Sequence, residues 1–243
     1  MKLSTAFMTE TFISAIKALP LTLSLALVPF LFGSVFAFLL ALAQIKQVRF
    51  WGKFASFYVS LIRGMPMVVL VLLLYNTLPG YLDCFFKAIG SSFNVYRSIP
   101  GVVYAYFIFT LSAIAFLTEV FRSAVGAVDK GQMEAAYGIG LSGFQAYIRI
   151  ILPQALRGAV PNLCNLMVAL VKNTSLAFMM TVKDLTQTAK LGAALNYRYA
   201  EAYIVILVIY ILLCLFIEGV FWLIERRLNY EYKERTGIKG ISQ

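Results

Sequence analysis

The chain has 243 residues, of which 61% are hydrophobic and only 13% are charged, whereas an ordinary soluble domain carries roughly 25% charged residues. This composition excludes a soluble globular protein and predicts one that crosses a membrane several times. The net charge of +10 does not indicate nucleic-acid binding, because the positive residues stand mainly in short connections between apolar segments, as membrane topology favours.

Five apolar segments are long enough for a membrane helix, which needs about 20 residues. They are predicted at about 19–43, 54–78, 101–122, 158–182 and 202–224. No second domain and no low-complexity segment is visible between them. The sequence therefore predicts a single transmembrane domain over residues 1–243, of the all-α class.

The second segment contains a charged residue followed by two helix breakers, in the order Arg63, Gly64 and Pro66. Pro66 removes a backbone hydrogen bond and Gly64 allows a bend, so a break in the helix is expected here. A structural role for Arg63 at this break is favoured, and contact with a transported substrate is the alternative.

The third segment ends with Glu119 and Arg122, which are three residues apart and therefore share one face of a helix. A charged residue at the centre of a bilayer costs about 2.5–3.5 kcal/mol, so these residues need a partner or a function. A local ion pair and a position on a substrate pathway are both consistent with the spacing.

Residues 126–155 are half polar and are predicted to form two short helices. Asp129 can cap the first helix, and Gly140 can end it in the left-handed conformation. Ser142 and Gln145 have the spacing of a capping box for the second helix, which Pro153 should end or bend. Helices of about ten residues reach roughly 15 Å and cannot cross a bilayer. They must pack on the membrane segments or dock onto a partner.

The fourth segment has four consecutive polar residues near its middle, Lys172, Asn173, Thr174 and Ser175. Because they point in different directions around a helix, some of them must face another helix or an aqueous cavity. Lys172 would suit an anionic group of a solute in a substrate pathway. Its alternative role is an ion pair that holds two helices together.

The distribution of positive charge predicts the orientation of the chain. One set of connections carries 12 Lys or Arg residues, and consists of 44–53, 122–157 and 225–243. The other set carries 7, and consists of 1–19, 79–100 and 183–200. Because the more positive side of a membrane protein is cytoplasmic, the N-terminus is expected outside, and the C-terminus and the half-polar stretch inside.

The half-polar stretch also contains a spaced pattern of residues. These are Glu134, Ala135, Ala136, Gly140, Ile150, Leu152 and Pro153. The pattern resembles the EAA loop of permease subunits from bacterial ABC importers. The stretch "RGMP" at residues 63–66 is similar to the Arg-Gly-x-Pro of the polar amino acid permeases, whose members take glutamine-, histidine-, arginine- or cystine-type substrates.

This resemblance implies the fold of a type I ABC importer permease in the bacterial cytoplasmic (inner) membrane. It implies a cytoplasmic ATPase dimer as partner, which would hold ATP and Mg²⁺ and receive a coupling helix from each EAA loop. Glu134 would meet a basic group of the ATPase, Ala135 and Ala136 would allow close approach, and Gly140 would orient the helix. Other implied partners are a second permease, identical or homologous, an extracytoplasmic binding protein, the amino acid and membrane lipid.

Two features bear on the amino acid that is carried. Many polar amino acid permeases have Asp where this chain has Asn173, and the loss of that carboxylate argues against a strongly cationic substrate. The long connection 79–100 and the stretch "SLAFMM" are similar to cystine-type permeases.

Other function classes are disfavoured by what the sequence lacks. It has no histidine, no CxxC pair and no GxxxxGK[ST] phosphate loop, so a metal site, a cofactor or catalysis is not expected in this chain. A self-sufficient secondary transporter or channel remains the alternative function, although it would call for an internal repeat that is not visible.

Overall fold

The computed structural model describes residues 3–236, and the side chains of residues 3–230, as helices and short connections. The first half contains α1 (Thr5–Lys17), α2 (Leu19–Ile45), α3 (Trp51–Gly64), α4 (Met67–Ala88), α5 (Val95–Ser98) and α6 (Gly101–Gly126). The second half contains α7 (Lys130–Gly138), α8 (Gly143–Ala146), a π-helical turn (Tyr147–Ile151), α9 (Leu152–Asn173), a 3-10 segment (Thr174–Met180), α10 (Leu185–Asn196) and α11 (Tyr199–Thr236).

Five helical stretches are long and apolar enough to cross a membrane. They are Leu19–Ile45, Met67–Ala88, Gly101–Gly126, Gly143–Met180 and Tyr199–Tyr230. The all-α class and the number of spans are thereby confirmed. The ends of the domain predicted over 1–243, with Lys2 and Lys239 of the charge comparison, lie outside the described residues.

The prediction of one helix over 54–78 is wrong, because the chain breaks between α3 and α4. Met65 is extended, with φ −96° and ψ 136°, since a proline disfavours the helical conformation of the residue before it. The break expected at Arg63, Gly64 and Pro66 is thereby found. The membrane-length helix is α4, which continues past Pro79 into the connection expected at 79–100.

The centre of the bundle is α6, which packs against α2, α3, α4 and α9. The contact with α2 is made by small residues, and a Cβ placed on Gly33 would lie 3.3 Å from the Cβ of Ala113. Toward the start of α6, Ile108 and Phe109 are fully buried. Close helix packing through small residues is typical of membrane bundles, where association depends on van der Waals contact.

Two helices lie where the sequence predicted connections. Ser4 caps α1 by accepting a hydrogen bond from the Phe7 amide at 3.4 Å. The Asp184 carboxylate caps α10 and accepts bonds from the Thr186 and Gln187 amides. The two helices pack on each other and on α11. The Leu185 amide also donates to the Thr22 hydroxyl at 3.0 Å, which ties α10 to the start of α2.

The first short helix of the half-polar stretch is α7, as predicted. Asp129 caps it by accepting a bond from the Gly131 amide at 2.6 Å. Gly140 follows it in the left-handed region, with φ +80°. The capping box is also present, with reciprocal bonds of 3.0 and 3.3 Å between Ser142 and Gln145.

The second short helix continues through Pro153, so of the two outcomes predicted for this residue, an end or a bend, the end is not found. The chain is helical without interruption from Gly143 to Met180. The turn before Pro153 is π-helical, with the Leu152 amide bonded to the Tyr147 carbonyl. Such a widened turn gives a proline ring space against the preceding carbonyls, which an ordinary α-helical turn would deny.

Candidate functional site

The end of α9 opens onto a pocket of about 580 Å³ between the 3-10 segment, α10 and α11. Its lining contains Lys172, Ser175, Phe178, Thr186, Lys190, Tyr203, Ile206, Leu207 and Tyr210. Lys172 is exposed, and Ser175 turns its hydroxyl back to the Lys172 carbonyl at 2.7 Å. Two of the four predicted polar residues therefore line one pocket.

The pocket carries two positive charges and no acidic side chain in its lining. The ammonium of Lys190 lies 3.6 Å from the centroid of the Phe178 ring, a cation–π contact that holds it at the pocket wall. Hydroxyl groups come from Tyr203, Tyr210 and Thr186. An anionic group such as a carboxylate suits this arrangement, because lysines supply several donors and a full positive charge.

Thr174 and Asn173 lie differently from their neighbours. Thr174 is fully buried, donates to the Val171 carbonyl at 2.7 Å and lies 3.3 Å from the Tyr210 hydroxyl. The Tyr210 hydroxyl is also 3.2 Å from the hydroxyl of Thr186. Thr174 therefore does not line the pocket itself but contacts Tyr210, which does. Asn173 is half-buried and makes no side-chain hydrogen bond among residues 3–230.

Arg63, Glu119 and Arg122 form one cluster. Both oxygens of the Glu119 carboxylate accept bonds from Arg122, at 2.5 and 3.0 Å. The same carboxylate lies 3.6 Å from the guanidinium of Arg63, which in turn lies 5.8 Å from the ring centroid of Phe116. The predicted local pair is present, with a third member from α3. The cluster does not line the pocket of Lys172.

The segment from α7 to the π-helical turn exposes both polar and large apolar side chains. Glu134 and Ala135 are exposed, whereas Ala136 is buried against the protein. Four large side chains remain half exposed or more, namely Tyr137, Ile139, Phe144 and Ile148. We call these four the apolar loop face. An exposed apolar cluster of this kind is typical of an interaction surface.

The remaining residues of the spaced pattern lie where α7 meets the base of α9. Ile150 and Leu152 are half-buried and Pro153 is exposed. The amide of Gln154 donates to the side-chain oxygen of Gln132 at 3.2 Å, which joins α7 to this base. The short helix is therefore attached to a membrane span and is not free to move alone.

The sequence reasoning missed several lining residues of the pocket. Lys190 was counted only as a loop charge, and Tyr210 lies in the middle of an apolar segment without a visible motif. A signal for Lys190 was its position four residues after Thr186, which places both on one face of a helix. Tyr210 could be found only from the packing of α11 on α10.

Comparison with known proteins gives matches along most of the chain. The family described as binding-protein-dependent transport system inner membrane component matches residues 30–230. The chain is 34% identical to the probable amino-acid permease protein YxeN of Bacillus subtilis (strain 168), over 93% of this chain and 96% of that protein. It is also 34% identical to the L-cystine transport system permease protein TcyL of the same strain, over 92% and 89% of the two chains.

Solved structures match over the same extent. The crystal structure of an amino acid ABC transporter with histidines superimposes with a TM-score of 0.80 and 29% identity, over 93% of this chain and 100% of that one. The MetNI methionine ABC transporter, in inward facing conformations, gives a TM-score of 0.67 at 19% identity, which shows a shared fold.

Proposed function

The chain belongs to the family of binding-protein-dependent transport system inner membrane components, and on this basis we propose that it is the permease subunit of an ATP-driven importer for polar amino acids. Membership makes it a multi-pass inner-membrane transport component. The single observation that supports an amino acid as substrate is the pocket of Lys172 and Lys190, because its paired cations and hydroxyl groups suit a carboxylate.

Cystine is the amino acid that we favour. The matched relatives TcyL and TcyB are L-cystine transport system permease proteins. The pocket has no carboxylate that would attract a cationic side chain, and Asn173 is neutral. A substrate that presents carboxylates without a net positive side chain suits such a lining better than arginine does.

The energy source in this proposal is a separate ATPase dimer, which would hold ATP and Mg²⁺. The apolar loop face and the exposed Glu134 support docking at α7. Ala135 is exposed beside Glu134, and its small side chain leaves space for a partner surface. Gly140 would orient the docking helix through its left-handed conformation. Catalysis would then belong to the partner chain alone.

The proposed assembly contains a second permease, either identical or homologous, because five spans supply one half of a two-fold pathway. The excess of positive charge in 44–53, 122–157 and 225–243 supports a cytoplasmic C-terminus and an external N-terminus. An extracytoplasmic binding protein would then deliver the amino acid at the end where α6 begins.

The test is uptake into proteoliposomes that contain the permease, its candidate ATPase and the candidate binding protein. Labelled cystine, glutamine, histidine and arginine are compared with and without ATP inside the vesicles. We expect ATP-dependent uptake, with cystine fastest. Uptake that needs neither ATP nor a second subunit would contradict the proposal and support the alternative, a self-sufficient secondary transporter or channel.

A further inference from the structure

An apolar groove of about 530 Å³ runs along the outside of α2 and α3. Its lining is formed by Phe36, Leu39, Leu40, Ala43, Val48, Trp51, Phe54, Tyr58, Leu111 and Ile114. The Tyr58 hydroxyl donates to the Leu111 carbonyl at 2.6 Å, so the polar atom of this lining is already bonded. The groove extends along α2 from Phe36 to Ala43, which is about 10 Å of helix.

The groove adjoins a polar pocket at the corner where α2 turns into α3. This basic corner pocket has about 590 Å³ and is lined by Gln44, Gln47, Val48, Arg49, Gly52, Lys53 and Ser56. Val48 lines both cavities. An apolar groove and a basic pocket thus adjoin at Val48, in the order in which a lipid presents its chains and its headgroup.

Among the side chains that the structure describes, none forms an ion pair with the positive charges of the corner. The sequence has no Asp or Glu between Glu10 and Asp83. Arg49 and Lys53 are both exposed, and neither has an ion pair with any residue in the range 3–230. The side-chain oxygen of Gln44 is buried there without a hydrogen-bond partner among the same residues. The pocket therefore offers two cations to an outside anion.

The corner is held in a fixed shape by close backbone contacts. A Cβ on Gly52 would lie 3.0 Å from the Ala43 carbonyl oxygen, so a larger residue would push α3 a few tenths of an ångström away from α2. The Val48 amide donates to that same carbonyl at 3.0 Å, and Gln47 takes a left-handed φ of 49°. The groove and the basic pocket consequently keep one relative position before any ligand binds.

We propose that this corner binds an anionic glycerophospholipid, with one acyl chain in the groove and the phosphate between Arg49 and Lys53. A soluble anion would use only the basic pocket and would leave the groove open. A lipid uses both cavities at once, and Trp51 at their junction has the amphipathic ring typical of the membrane interface. Phosphate suits Arg49 because a guanidinium binds its oxygens through parallel hydrogen bonds.

The proposal is tested on the full-length chain purified in detergent, by native mass spectrometry with added lipid. Phosphatidylglycerol and phosphatidylcholine with the same two oleoyl chains are compared. In the double variant Arg49→Gln/Lys53→Gln, the affinity for phosphatidylglycerol should fall about 30-fold, since each basic side chain at an anionic surface contributes roughly a factor of five. The affinity for phosphatidylcholine, which carries the same phosphate but no net charge, should fall by a smaller factor.

Matched variants separate this site from general attraction between charges. Lys17→Gln/Arg97→Gln removes two exposed positive charges elsewhere and should leave both affinities unchanged. Leu39→Trp fills the groove and should weaken both lipids, whereas Leu31→Trp, on an equally exposed part of α2, should weaken neither. An equal loss in the two charge pairs, an unchanged Arg49→Gln/Lys53→Gln variant, or equal competition by soluble glycerol phosphate would overturn the proposal.

Discussion

The carboxylate of Glu119 on α6 lies 3.6 Å from the guanidinium of Arg63, at the end of α3. The break between α3 and α4 follows Arg63 within three residues. Two hydrogen bonds from Arg122, on the same helix, hold the Glu119 carboxylate in place. The contact between Glu119 and Arg63 therefore joins α3 to the central helix α6. The cluster contains two arginines and one glutamate, so both ion pairs depend on the single carboxylate of Glu119.

Replacing Glu119 by glutamine should therefore destabilise the protein modestly. The three side chains are partly exposed, so a loss of about 1 kcal/mol is expected, which corresponds to roughly 2–4 °C in Tm for a chain of this size. Thermal unfolding in detergent measures the change. Arg63→Gln and the double variant complete a cycle whose coupling energy should be a measurable but smaller part of the loss, because Arg122 makes both hydrogen bonds to this carboxylate. Strict additivity would show that the two residues do not interact.

Lys172→Gln and Lys190→Gln should each slow ATP-driven uptake of the amino acid. Loss of a charged hydrogen bond to a carboxylate costs about 1.5–3 kcal/mol, which is roughly a 10- to 100-fold change. Initial uptake rates in proteoliposomes measure the effect. Lys183→Gln is the control, because Lys183 is exposed and does not line the pocket. Equal effects in all three variants would assign the loss to charge alone and remove Lys172 and Lys190 from the pathway.

Gly140→Asp should weaken association with the ATPase about tenfold. A non-glycine residue in the left-handed conformation of Gly140 costs about 1–2 kcal/mol. The backbone of the loop should therefore adopt another conformation at this position. Co-purification and titration with the ATPase measure the effect. Gly90→Asp is the matched control, since Gly90 has φ +74° and is also in open space. Normal association of Gly140→Asp would contradict the orienting role of this turn.

The stability of the protein should depend on pH through Asp184. Burial raises the pKa of this carboxyl from 3.8 to about 6, although two backbone amides stabilise its charged form. The folded state therefore binds a proton more tightly than the unfolded state. Its contribution to stability is complete below about pH 4 and is lost as the pH rises through about 6.

The measurement for Asp184 is Tm between pH 4 and pH 7. The shift in pKa corresponds to a free-energy change on the order of 3 kcal/mol across this window. In Asp184→Asn the side-chain oxygen can still cap α10, but the titration is removed, so the dependence on pH should flatten. A slope that is the same in both proteins would assign the pH effect to another group.

The membrane spans could be predicted because the length and the apolar content of a segment are read from consecutive residues alone. The broken second span shows the limit of this method. Hydropathy alone placed the span at 54–78, whereas the break follows from Gly64 and from the conformational effect of Pro66 on Met65. The cap and the glycine of α7 were predicted because each acts on backbone groups within three residues. The continuation of the helix through Pro153 could not be predicted, since the π-helical turn that accommodates this residue has no sequence signature in this chain.

The candidate pocket was only half predictable for the same reason. Lys172 and Ser175 lie close together in an apolar segment, where polar side chains cost free energy. The sequence therefore singles them out as candidates for a function. Lys190 reaches the pocket because α10 folds back on α11, and this return depends on long-range contacts such as the bond from Leu185 to Thr22. Arg63 and Glu119 are likewise joined across 56 positions, which the spacing of residues along one helix does not reveal.

The uninterrupted helix from Gly143 to Met180 has a mechanical consequence. Phe144 of the apolar loop face and Lys172 of the pocket stand on one rod, separated by about 40 Å of helical rise. If this stretch tilted as one body about its base by about 5°, the ammonium of Lys172 would move by roughly 3–4 Å. A small tilt at the loop end would therefore be a large displacement at the pocket end.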